Sequence, residues 1–188
     1  FPTVFDLANA SEEQVLKLWQ GLGYYSRARN LHKTAQLVAF DLGGNFPTSY
    51  QELLKLKGIG TYTAAAIASF SSNEPVPVVD GNVFRVLARY FDVETDISST
   101  IAKKEFTALA YEVLDKTNSL QFNQAIMEFG ALQCMPKNPN CSVCVLNDSC
   151  VALQKNKINQ LPVKLKKTKV TERFFNYLVF EDELGNSI

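Results

Sequence analysis

Three groups of residues in this chain have the types and spacing that chemistry needs. The first is Leu56-Lys57-Gly58-Ile59-Gly60, a Gly-X-Gly turn in which the glycines supply positive φ or an unobstructed backbone approach. The helix it opens, from about Thr61, offers unpaired N–H groups and the positive end of its dipole, a ready seat for a phosphate. The second group is Asp80 with Asn82, standing just ahead of another helix. A phosphate seat followed by a positioned carboxylate suggests chemistry on a nucleic acid, although by spacing alone a Gly-X-Gly turn is more often a plain connector. The third is Cys134, Cys141, Cys144 and Cys150, all 4 cysteines of the chain, arrayed C-x6-C-x2-C-x5-C in a loop rich in Pro and Asn. Thiols so crowded in a chain without a signal peptide fit a metal better than disulfides. Four thiolates suit either zinc or an iron–sulfur cluster, and zinc ribbons favour two separated C-x2-C pairs where this loop has one.

Helices must hold these groups. Ser11-Glu12-Glu13-Gln14 reads as a capping box, opening a helix with Val15, Leu18 and Trp19 on its apolar stripe and ending at Gly21-Leu22-Gly23. Ser26 is expected to cap a second helix carrying Leu31, Ala35 and Val38. Between them Tyr24 and Tyr25 stand beside Arg27 and Arg29. That grouping reads as a base-stacking, phosphate-binding surface or, the commoner case, as tyrosines plugging a core with their hydroxyls satisfied. Ser49 and Glu52 suggest another capping box on a short helix leading into the glycine turn. Beyond the turn, Thr63, Ala66, Ile67 and Phe70 form one apolar face, and Pro75 and Pro77 force an extended path to Asp80. The next helix has Val83, Val86, Leu87 and Tyr90 on its apolar face and Arg85 and Arg89 on its other side. Helical patterns return over Thr100–Asp115 and Leu120–Gln133, the latter with Phe122, Ala125, Ile126 and Phe129 aligned. The lone His32 has no metal-ligand companion and reads as structural.

At 188 residues, 46% hydrophobic and 20% charged, the chain can bury the core of one domain or two small ones. No apolar run approaches the roughly 20 residues that span a bilayer, and an intracellular protein is expected. The formal net charge of +0 argues against a strongly basic nucleic-acid binder. Basic residues do gather locally, at Arg27, Arg29 and Lys33, at Lys55 and Lys57, and at Lys164, Lys166, Lys167 and Lys169. The start at Phe1 and a strand-like FFNYLVF run near the end, with no partner strand, lead us to expect a fragment cut on both sides.

Taken together, the glycine turn and Asp80 resemble the helix-hairpin-helix and Gly/Pro-Asp signature of base-excision DNA glycosylases, with Lys57 where that family usually has Pro. The wording GLGYYSRARNLHK is similar to one branch, the adenine DNA glycosylases of the MutY type, and the cysteine spacing resembles the cluster loop of endonuclease III and MutY-type enzymes. The resemblance implies an all-α helix-hairpin-helix glycosylase fold. A helical barrel module would span 1–91 with the hairpin at about 53–70, a cluster module 92–153, and a linker with the first strand of a nudix-like domain 154–188. It implies a [4Fe-4S] cluster on the four cysteines. The partner would be double-stranded DNA bearing adenine opposite 8-oxoguanine, bound by a monomer, with Leu22 and Tyr24 facing the 8-oxoguanine and Tyr24 wedged into the stack. Gly58, Gly60, Lys57, Arg27 and Arg29 would contact the DNA backbone.

Asp is ordinarily ionised at neutral pH, which assigns Asp80 to stabilising the oxocarbenium-like sugar, with Asn82 orienting it or touching the backbone. Bifunctional relatives carry a Schiff-base lysine where this chain has Tyr62, so a monofunctional enzyme is expected. In the resembling family the general acid is a glutamate from a helix ahead of Phe1, and Glu52, Glu74 and Glu128 do not match its position. A DNA-binding module without catalysis is the alternative of another class, and a bifunctional lyase is disfavoured by Tyr62.

Overall fold

The computed structural model describes residues 1–165, 171–180 and 183. Among them the regular elements are helical: α1 (Val4–Asn9), α2 (Glu12–Leu18), α3 (Ser26–Gln36), α4 (Tyr50–Leu53), α5 (Thr61–Ser72), α6 (Gly81–Phe91), α7 (Thr100–Val113), α8 (Ser119–Leu132) and α9 (Val151–Gln154). A π turn over Leu37–Asp41 extends α3, and short 3-10 turns at Cys141–Val143 and Asn147–Ser149 shape the cysteine loop. No helix among the described residues is long and apolar enough to cross a membrane. Residues 171–180 join neither helix nor ladder, and Phe174, Tyr177 and Leu178 are exposed there. Lys166, Lys167 and Lys169 of the basic tail lie outside the described residues.

Local chemistry starts most of these helices. Ser11 and Gln14 complete the expected capping box on α2, and Thr3 with Asp6 makes a second one on α1, a helix the apolar pattern does not announce. Ser49, Asp80 and Ser99 cap α4, α6 and α7 through their side chains. Ser26 does not act as a cap: α3 begins on it, with Tyr25 in the capping position and no side-chain bond.

Among the described residues three apolar clusters form, a small one of Ala8, Ala35 and Ala39 where α1 meets α3 and its π extension, and two larger ones that position the site. Leu53, Leu56, Ala64, Ala65, Ala68, Val76 and Val78 form one around α4, α5 and the extended segment that follows. Val83, Leu87, Ala88, Ala102, Phe106, Ala110, Ala152 and Leu161 form the other, so α6 shares its core with α7 and α9. Met127 of α8 packs against both. The buried side chain of Asn123 ties α8 to the first of them. It accepts from Val78 N–H (2.9 Å) and donates to Val76 carbonyl (2.9 Å) and to Ser69 Oγ (2.8 Å), clamping the extended path that leads to Asp80.

Several faces turn out differently from the sequence pattern. In α5 the buried residues are Ala64, Ala65, Ala68 and Ser69, while Thr63 is exposed and Ala66, Ile67 and Phe70 are half-buried. The small side chains are the ones that let α4 and α8 approach, and bulk sits at the margin. In α8 the buried residues are Ser119, Asn123 and Gly130; Phe122, Ile126 and Phe129 line an open apolar groove and Ala125 is exposed. Leu18 and Leu31 are exposed as well. Gly130 is required where α8 meets α6, since a Cβ there would stand 2.7 Å from that of Asn82. His32 is buried as expected of a structural residue.

Candidate active site and nucleic-acid interface

Asp80 ends the Asn123-clamped segment and caps α6. Its Oδ1 accepts from Val83 N–H at 2.8 Å and its Oδ2 from the Asn82 side-chain amide at 3.0 Å. Both bonds fix the carboxylate before any ligand arrives. Asn82 in turn accepts from Arg85 Nη2 at 2.8 Å, and Arg85 donates to the carbonyls of Gly130 (2.6 Å) and Cys134 (2.7 Å). A continuous chain of hydrogen bonds therefore runs from Asp80 to the first residue of the cysteine loop. Burial lowers the Arg85 pKa from its ordinary value, while the charges of Cys134 and Asp80 act to raise it.

Tyr62 stands in the first turn of α5 and lines a cleft with Val79 and Phe84, close neighbours of the Asp80 cap, and with Thr61, Tyr50, Lys103 and Tyr111. Tyr62 is 46% exposed. Burial of Tyr111 raises its pKa, and the charges of Tyr50 and Glu74 add to this. Each of the glutamates singled out above accepts a hydrogen bond from another group. Glu52 accepts from Ser49 Oγ, Glu74 from Tyr50 N–H and Glu128 from the Gln124 amide.

The glycine turn has two different glycines. Gly58 has φ +82°, and a Cβ there would lie 2.5 Å from the Asn30 side chain. Gly60 has φ −89° and open space around it, so a close approach from outside, not backbone geometry, is what it permits. The turn is pinned from below, Thr34 Oγ1 donating to the Lys57 carbonyl at 2.8 Å. α5 then starts on Gly60 with no side-chain cap, leaving the N–H groups of its first turn toward solvent beside exposed Lys55 and Lys57.

At the Gly21–Arg27 turn, the core-plug reading of the tyrosines fails. Tyr24 is 83% exposed with φ +48°, a conformation uncommon for a side-chain-bearing residue, and Leu22 and Tyr25 are exposed too. Arg27 lies 5.3 Å from the Trp19 ring centroid and 6.0 Å from that of Tyr24 and donates to the Leu22 carbonyl. This bracing holds an aromatic and an aliphatic side chain out from the surface. Arg29 instead pairs with Glu12 at 2.9 Å, which leaves Arg27 as the freer cation of the two.

Arg85 and Arg89 are not on a solvent face. They are 8% and 2% exposed, turned toward the cysteine loop. The four thiols line one cavity together with Val86, Arg89, Tyr90 and Phe129. Burial raises the Cys141 pKa, and the charges of Cys134, Cys144 and Cys150 push it further. Four thiols gathered on one cavity are a donor set that suits a [4Fe-4S] cluster held by Cys134, Cys141, Cys144 and Cys150.

The roles of Asn123, Thr34, Arg85 and Arg89 escape a reading of the sequence alone. The available signals are polar residues interrupting an apolar stripe, as Asn123 does in Phe122-Asn123-Gln124-Ala125, and arginines spaced one helical turn apart behind a capping Asp.

Comparison with known proteins gives independent support. Residues 1–111 match the model of the HhH-GPD superfamily of base excision DNA repair proteins. Residues 134–150 match that of the iron–sulfur binding domain of endonuclease III, and the cysteine loop is the seat of a [4Fe-4S] cluster. The chain is 45% identical over 162 residues to the adenine DNA glycosylase of Homo sapiens, covering 86% of this chain and 30% of that protein. It is 38% identical over 170 residues to that of Buchnera aphidicola subsp. Baizongia pistaciae, covering 90% and 48%. It therefore spans half or less of the length of these relatives. Among solved structures, a thermostable thymine-DNA glycosylase superposes with a TM-score of 0.73 at 26% identity, over 82% of this chain and 71% of that one. A non-covalent endonuclease III–DNA complex gives 0.68 at 25% identity, over 83% and 72%.

Proposed function

Because the chain belongs to the HhH-GPD superfamily of base excision DNA repair proteins, we propose that it acts on duplex DNA as a monofunctional glycosylase, releasing adenine paired with 8-oxoguanine. The observation that carries this reading is the setting of Asp80, a carboxylate fixed by Val83 N–H and Asn82 and following directly on Val79, which lines a cleft with Tyr62. Breaking an N-glycosidic bond builds positive charge on the sugar. An anion already oriented toward that charge stabilises it without reorganising during the reaction.

The other residues take roles around that step. The open N-terminus of α5, with Gly60 and Lys57, receives a DNA phosphate. Leu22 and Tyr24 enter the stack at the 8-oxoguanine and help offset the few kcal/mol that flipping the adenine costs. Tyr62 cannot form a Schiff base, so the strand is not nicked. Asn82 keeps Asp80 in register. The [4Fe-4S] cluster, bound through Cys134, Cys141, Cys144 and Cys150, braces the loop to which Arg85 and Arg89 attach. Residues 154–188 lead into a nudix-like domain, and the protein works as a monomer.

Protonation of the departing base requires a neutral carboxyl. Glu52, Glu74 and Glu128 each accept a hydrogen bond from a group other than Asp80 or Asn82. The same engagement favours, as a second reading, a DNA-binding module without catalysis. Adenine release from a duplex with adenine opposite 8-oxoguanine separates the two. Release that falls by roughly 10²–10³-fold in Asp80→Asn supports the glycosylase, this being the usual cost of losing one preorganised stabilising group. Release that is unchanged in Asp80→Asn, or equal on an adenine opposite thymine, contradicts it.

A further inference from the structure

One buried charge plays no part in the reaction proposed above. Arg89 is 2% exposed and heads the fully buried side chains by volume. Its donors are spread over the Leu161 carbonyl through Nε (3.0 Å), the Met135 carbonyl through Nη1 (2.8 Å) and the Pro136 carbonyl through Nη2 (3.1 Å), all of them neutral. The remaining contact is Nη1 to Cys134 Sγ at 3.4 Å. Among the described residues the ion pairs belong to Arg29, Lys155 and Lys157, and no carboxylate pairs with Arg89. A guanidinium buried without an opposite charge is strongly unfavourable. The group that can compensate it is the one its cavity is lined for, since four thiolates around an iron–sulfur core leave a net negative charge.

We propose that Arg89 is the counter-charge of the cluster and holds its reduction potential up. A fixed cation beside Cys134 Sγ favours the more negative cluster state. It therefore opposes loss of one electron from [4Fe-4S]2+ to an outside oxidant, the step that exposes such clusters to breakdown. The three carbonyl bonds serve another purpose, since they aim the guanidinium and tie the loop, and neutral donors could do as much. Arg85, with its side chain committed to Asn82, Gly130 and Cys134 carbonyl, is secondary in this respect.

Arg89→Lys keeps the charge and loses the planar fork, whereas Arg89→Gln keeps neutral donors and loses the charge. The measurements are the midpoint potential of the purified, cluster-loaded protein by film voltammetry and the decay of its visible cluster absorbance under ferricyanide, which takes up the electron and becomes ferrocyanide. The expected result is a potential shifted to more negative values in Arg89→Gln, with decay several-fold faster, and a potential near that of the parent in Arg89→Lys. Equal shifts in both variants, or none in Arg89→Gln, overturn the proposal. Where Arg89→Gln holds no cluster, iron content at equal helicity decides: loading in Arg89→Lys at the parental level supports it, and loss in both overturns it. The inference rests on the iron–sulfur assignment, and a parent protein lacking iron and visible absorption would overturn that assignment instead.

Discussion

Asp80 both caps α6 and carries the charge on which the proposed chemistry depends, and the two roles can be separated. Asn is about as good an N-cap as Asp, so Asp80→Asn keeps the bond to Val83 N–H and the fold while removing the charge. Tyr24 presents the converse case, a residue that the fold does not need. Held at φ +48° and 83% exposed, it contributes nothing to either core. Tyr24→Ala should leave the melting temperature within a degree or so of the parent, yet weaken binding to duplex DNA by about 1–3 kcal/mol if the ring stacks on a base. A melting scan beside a binding titration checks both parts. These two residues also mark what can be read from sequence. Asp80 is legible because a Pro-broken segment and a helix start are local. The exposure of Tyr24 is not, because a tyrosine beside glycines fits a core and a protruding turn equally well until Arg27 and Trp19 are placed around it.

At the level of elements, the hairpin divides its glycines between folding and binding. Gly58→Ala forces φ +82° on a residue with a Cβ and drives that Cβ into Asn30, so it should destabilise by more than the roughly 1–2 kcal/mol of the left-handed penalty alone. Gly60 has φ −89° and empty surroundings. Gly60→Ala should melt like the parent but bind DNA several-fold more weakly, because in the proposed complex the methyl group meets the phosphate seated at the open end of α5. Equal melting temperatures for the two variants would contradict this division. Element positions are largely legible, since the capping residues Ser11, Ser49 and Asp80 and the apolar periods lie within single helices. Faces are less so. The period places Arg85 and Arg89 of α6 away from the core because it cannot see the cysteine loop returning from residue 134. It places bulk inside α5 because a close approach by neighbours, which selects Ala and Ser, is a tertiary fact.

For the whole molecule, the cysteine loop and its continuation close the second core. After α9, Lys155 and Lys157 both bond Asp92 at the end of α6, and Lys157 also bonds Glu94. The Lys155 hydrogen bond, foremost, and the one from Lys157 hold the Asp92 pKa below its ordinary 3.8, against the opposing effect of burial. With the folded pKa depressed, the stabilisation is complete above the ordinary aspartate range and is lost as pH falls through the lower folded value. Asp92→Asn should therefore melt below the parent at neutral pH, with the gap closing on acidification below about pH 4. A gap that widened in acid would reverse the assigned sign. The balance of charge, +0 overall, gives little hint of a nucleic-acid surface, because the cations proposed to meet the DNA are a local few around Arg27, Lys55 and Lys57.

The central claim, that Asp80 is set to stabilise positive charge on a DNA sugar, is most directly tested by binding rather than turnover, which also needs an acid. The measurement is the affinity for a duplex carrying a protonated pyrrolidine in place of the target deoxyribose opposite 8-oxoguanine, against the same duplex with an uncharged tetrahydrofuran there. The prediction is a preference of at least about tenfold for the cation, in line with the tighter binding of transition-state analogues, and its disappearance in Asp80→Asn. Equal affinity for the two duplexes in the parent protein, or a preference that survives Asp80→Asn, would contradict the account.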